Sequence, residues 1–71
     1  MNIYAEEGSR VIYTGKGGYD YHRETANNHL TVGNTYEVYF TDVGGWHTDV
    51  YLKGFETIPF NSVMFEDVEE L

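Results

Sequence analysis

Few residues in this chain combine a reactive type with a productive spacing. Gly15-Lys16-Gly17-Gly18 carries the glycine and lysine of a phosphate-binding loop. That device needs a longer glycine run and a Lys-Ser/Thr pair opening a helix, so that backbone N–H groups and a hydroxyl meet the phosphates. Here the run reads as a flexible loop. His22, His29 and His47 could offer three imidazole nitrogens, enough for a catalytic zinc, but their spacing matches no ligand motif, and no metal or other cofactor is expected. The chain has no cysteine, and Ser9 and Ser62 lie in no nucleophile motif. Carboxylates are plentiful, yet acid–base catalysis needs two of them with separated pKa values inside a pocket. A domain of 71 residues fills its interior with side chains and leaves little volume for one. The expectation is a protein that is not an enzyme.

The distribution of charge carries more information. Twelve acidic residues face four basic ones, for a net charge of −8. Residues 1–35 hold four acids and three bases, whereas residues 36–71 hold eight acids against Lys53 alone, so the two halves carry −1 and −7. A net charge of magnitude about 2 to 8 suffices to keep a small domain soluble, so this chain sits at the limit of that explanation. Direct binding to nucleic acid is not expected, because a phosphate backbone repels such a surface and there is no basic patch to release counterions.

The elements that must hold these carboxylates are mostly strands. Hydrophobic content of 41% and aromatic content of 17% argue for a folded chain despite its acidity. The length allows one domain, residues 1–71 with a core over about 9–68, and without disulfides apolar burial must stabilise it. No N-terminal leader pattern and no apolar run long enough for a membrane span is present, so a cytoplasmic protein is expected. Alternation predicts strands over 10–14, 35–41, 47–53, 55–58 and 63–68. Tyr36, Val38 and Phe40 fall on one face of the second strand, with Glu37 and Tyr39 on the other. Val50 and Leu52 oppose Asp49, Tyr51 and Lys53 on the third, and Asp42-Val43-Gly44-Gly45 joins the two as a hairpin. Residues 15–29 lack apolar periodicity and read as a long loop of the kind that often carries function. Five short strands with glycine-rich turns predict a mainly β fold, a small five-stranded antiparallel barrel.

The order of strand, long loop, Leu30-Thr31-x-Gly33-x-x-Tyr36-x-Val38, hairpin, then Ile58-Pro59-x-Asn61-x-Val63 and a last strand resembles the SH3-like barrels. That resemblance implies a short 3₁₀ turn over 59–63, before the last strand. The chain departs from peptide-binding SH3 domains: Tyr19-Asp20-Tyr21 lies inside the loop and Trp46 stands alone. In size, acidity and the Leu-Thr-x-Gly-x-x-Tyr pattern it is also similar to small phage host-takeover proteins. These include DNA mimics that target the nucleoid protein HU, CRISPR nucleases or RNA polymerase.

On the outward faces of the hairpin acids alternate with tyrosines. Glu37, Tyr39, Asp42, Asp49 and Tyr51, together with Glu66, Asp67, Glu69 and Glu70 near the C-terminus, form the expected partner-binding set. Duplex DNA carries one negative charge per about 1.7 Å of axis, and a stiff array of carboxylates can occupy the basic surface that evolved to read it. The expected function is a monomeric DNA mimic that blocks a basic host protein, with HU favoured because its DNA-binding surface is broad and sequence-tolerant. The alternative is an interaction module that recognises a peptide or protein through the aromatics of residues 15–29, Tyr19 and Tyr21, with Trp46.

Overall fold

The computed structural model describes residues 1–68. Five strands, β1 (Arg10–Tyr13), β2 (Thr35–Val43), β3 (Thr48–Leu52), β4 (Phe55–Asn61) and β5 (Phe65–Asp67), are joined by a helix α1 (Asp20–His29) and a 3₁₀ turn (Ser62–Met64). The strands lie in the order β4-β3-β2-β1-β5 with every neighbouring pair antiparallel. The sheet is open. Its edges β4 and β5 share no ladder among the described residues, so the expected closed barrel is replaced by a curved sheet whose edges the 3₁₀ turn connects.

Alternation in β1 and β3 reads directly as burial. Val11 and Tyr13, and then Thr48, Val50 and Leu52, face inward while the residues between them do not. With Val38, Phe60, Met64 and Phe65, all of these but Thr48 form the core, which Ala26 and Leu30 cover from the side of α1. An edge-to-face pair ties the two edge strands together, with Phe60 6.3 Å from Phe65, and Tyr13 on β1 lies 5.6 Å from Phe65 with the ring planes tilted by 50°.

Four expectations are corrected. Residues 15–29 are not one loop, because their second part is α1. Its only buried residue is Ala26, so no apolar stripe announces it. Polar contacts fix its start instead. The His22 Nδ1 atom accepts the Tyr19 N–H at 3.4 Å, Arg23 pairs with Asp20, and the Arg23 guanidinium donates to the Gly17 and Gly18 carbonyls at 2.9 and 3.0 Å. Gly17 and Gly18 have φ of +83° and +68°, which lets the chain turn into the helix with those carbonyls aimed at Arg23. The glycine run is thus a helix entry. Secondly, β4 does not stop at Ile58 but runs through Pro59 to Asn61. It is an edge strand with a register irregularity opposite Val50–Leu52, a position where a missing N–H is tolerated. Thirdly, the 3₁₀ turn therefore begins at Ser62, with the Asn61 side chain accepting the Val63 N–H at 3.2 Å, and the last strand is confined to Phe65–Asp67. The fourth concerns Phe40, which is 47% exposed and not part of the core. Its cause, described below, builds the site.

Tyr13 is the one fully buried phenol, and its hydroxyl donates to Asn27 Oδ1 at 2.8 Å. Burial raises its pKa above the ordinary 10.0, opposed by the positive charge of Arg23 and reinforced by Tyr36. The sign follows: the unfolded chain releases this proton at the ordinary pKa while the folded chain keeps it. Stability is therefore intact below about pH 10 and falls as pH rises through the raised value. Denaturant unfolding at stepped alkaline pH should show this decline, and Tyr13→Phe should flatten it. An equally steep decline in Tyr13→Phe contradicts the assignment. Leu52→Ala should cost about 2 to 5 kcal/mol through the cavity it opens.

Candidate functional site on the outer face of the hairpin

The register between β2 and β3 slips by one residue. Val38 pairs with Leu52, but Phe40 pairs with Tyr51, so Tyr39 is an extra residue, a β-bulge. Because side chains alternate with period two, one inserted residue moves everything after it to the opposite face. Before the bulge Val38 points into the core; after it Phe40 points outward together with Tyr39, which is 45% exposed. The Phe40 and Tyr51 rings stack at 6.2 Å with planes 18° apart. Two residues further on, Asp42 stands directly opposite Asp49.

Glu56 completes this face. The turn at Lys53–Gly54 pairs Leu52 with Phe55, which returns Glu56 beside Tyr51. Its carboxylate accepts the Gly54 N–H at 3.0 Å. That hydrogen bond and one from its own N–H hold its pKa below the usual carboxylate value, so Glu56 stays ionised. Tyr39, Phe40, Asp42, Tyr51 and Glu56 line a shallow depression of about 290 Å³. No lysine or arginine is among its lining residues. Asp49, at the end of the same face, holds His47 Nε2 at 3.0 Å.

The expected partner-binding residues divide into groups. Tyr39, Asp42 and Tyr51 come together on the outer hairpin face, and Asp49 stands opposite Asp42 in the ladder while also lining the cleft beside α1. Glu37 lies earlier on β2, pairs with Lys53 at 3.4 Å and stands in register with Arg10, so cations offset its charge. Glu66 and Asp67 are on β5, separated from β3 by two strands, and both Asp67 oxygens accept the Asn2 N–H at 3.1 Å. Glu69 and Glu70 lie outside the described residues. Phe40 and Glu56 were not expected at the site. Strict alternation assigns Phe40 to the core, and only the bulge corrects it; Gly54 was the available signal for Glu56.

A second cleft, of about 360 Å³, lies between α1 and the β3–β4 edge and is lined by Tyr21, His22, Thr25, His47, Phe60 and Asn61 among others. The His22 and His47 rings are 5.6 Å apart, which sets the start of α1 against the end of the hairpin. His29 packs instead on Phe55 and Phe60, so the three histidines do not converge. Among the described residues no group of three or more His, Asp or Glu side chains is placed to hold a metal ion. Tyr19 and Tyr21 stack at 5.7 Å and are largely exposed, and Trp46 at the hairpin turn is 99% exposed. No helix of the described residues is long and apolar enough to cross a membrane.

A family model described as Bacteriophage T4 protein Y07B matches residues 2–70 of the chain. No curated protein and no solved structure matches it.

Like charges directly opposite each other on neighbouring strands are destabilising by up to about 1 kcal/mol. Asp42→Asn should therefore raise the melting temperature, and the gain should shrink as salt screens the pair. Thermal unfolding at low and high salt checks this. A lowered melting temperature, or a gain indifferent to salt, contradicts it.

Proposed function

The chain belongs to the Bacteriophage T4 protein Y07B family, and from that premise we propose that it is a non-enzymatic DNA mimic. It occupies the DNA-binding surface of a basic host protein in the bacterial cytoplasm and excludes DNA from it. A nucleoid-associated protein such as HU is the favoured target, because a broad, sequence-tolerant basic surface can be covered by charge without base-specific contacts. The observation that carries this reading is the hairpin face. Asp42 and Asp49 are held opposite one another in the ladder, with Asp42 beside the rings of Tyr39, Phe40 and Tyr51, on a chain of net charge −8. Such a pairing weakens the fold. It gains affinity when a cationic surface neutralises it, and it speeds association by long-range attraction. The 3₁₀ turn before β5 supports reading the scaffold as an opened relative of the SH3-like barrels.

A second reading has its own support in the stacked, exposed Tyr19 and Tyr21 beside the α1 cleft, which suit recognition of a peptide or protein by aromatic contact. The two differ in their response to salt, since aromatic contact is nearly indifferent to it and charge competition is not.

Displacement of duplex DNA from purified HU, followed at increasing salt, tests the proposal. The wild-type chain should displace DNA with a strong salt dependence. Reversing Asp42 and Asp49 to lysine should slow association roughly tenfold or more. Glu37→Lys should do less, because Lys53 already offsets that charge. Undiminished displacement by the double reversal, or displacement unaffected by salt, overturns the assignment to this face.

A further inference from the structure

The depression on the hairpin face has a shape and composition that uniform negative charge does not require. Its floor is aromatic: the bulge turns Tyr39 and Phe40 outward in succession, and Phe40 lies nearly parallel to Tyr51, with ring centres 6.2 Å apart. Its rim is anionic on two strands, with Asp42 on β2 and Glu56 on β4. Asp42 has no hydrogen-bond partner among the described residues apart from its strand ladder, and Glu56 is kept ionised by the Gly54 N–H. A volume of about 290 Å³ accommodates the end of one long side chain.

Few occupants satisfy both features. An apolar side chain would strip water from two carboxylates without replacing it. An anion is repelled. An ammonium satisfies the charge, but it is compact and strongly hydrated and makes little use of a flat aromatic floor. A guanidinium is planar, weakly hydrated and always charged, and it can lie on a ring while its edge N–H groups donate to carboxylates. We propose that this depression receives an arginine side chain of the basic partner, with the guanidinium on Phe40 and Tyr51 and its N–H groups donating to Asp42 and Glu56. The inference rests on the reading of the hairpin as the face that meets a basic protein. It adds that the face distinguishes arginine from lysine, which charge mimicry alone does not.

The test uses two peptides of equal length and charge, alternating glycine with arginine or glycine with lysine. Each is titrated into the full chain at near-physiological salt, with binding read by calorimetry. The arginine peptide should bind roughly twofold to fivefold more tightly per engaged site, the scale of an exposed cation–π contact. Phe40→Leu keeps the charge and an apolar side chain but removes a ring, and it should erase the arginine advantage while leaving the lysine peptide's affinity in place. Equal affinities in the wild-type chain overturn the proposal without any variant being needed, and so does an arginine advantage that survives Phe40→Leu in a variant shown to unfold as cooperatively as the wild type. DNA displacement from HU is measured alongside. Displacement without arginine preference sinks the arginine site alone, whereas arginine preference without displacement sinks the DNA-mimic reading and keeps the site.

Discussion

One extra residue in β2 sets the character of this molecule. Without the bulge at Tyr39, the alternation that buries Val38 would also bury Phe40, turn Asp42 inward with it, and leave an acidic residue in the core. With it, the strand changes face once. The part next to β1 contributes to the core, and the part beyond the bulge contributes two aromatic rings and a carboxylate to solvent. The cost is a disrupted ladder step and two like charges held in register across the hairpin. Features that weaken a fold locally are concentrated where binding recovers the loss, and here they coincide on one face.

Three of the other acids are handled differently. Glu37 has Lys53, Asp20 has Arg23, and Asp67 is capped by the backbone of Asn2. These contacts tie strands and termini together. Asp49 shares only a histidine, and Asp42 faces Asp49. At β2 and β3 two carboxylates thus face each other with no lysine or arginine among the described residues paired to either, while Glu66 sits on β5 at the opposite edge of the sheet. A basic partner meeting the hairpin face encounters rings and carboxylates together, so contact area and charge act at the same place.

Much of this was legible in the sequence, for physical reasons that differ by residue. The strict alternation of Thr48 to Leu52, and the turn residues Gly44, Gly45 and Gly54, specified the hairpin and the strand that follows it. Tyr39, Asp49 and Tyr51 are legible as outward-facing from the alternation of their strands, whereas Asp42 reads as a turn residue and is carried outward on β2, which continues to Val43, only by the bulge. The bulge was not legible, since Tyr36, Val38 and Phe40 alternate without a flaw and nothing local distinguishes an inserted residue. Nor is α1, whose one buried residue leaves no 3.6-residue stripe and whose start is fixed by side chains of Arg23 and His22. The fate of Asp67 depended on a contact with Asn2, 65 residues away, that no local pattern encodes.

The central claim is that the outer face of β2 and β3, with Glu56, is where a basic partner docks. Mapping of backbone amide shifts in the isotopically labelled chain, as unlabelled HU is added, tests it most directly. The account predicts that the largest changes fall on residues 39–43, 49–51 and 56. Changes concentrated on α1 and Trp46, or on β5, would contradict it.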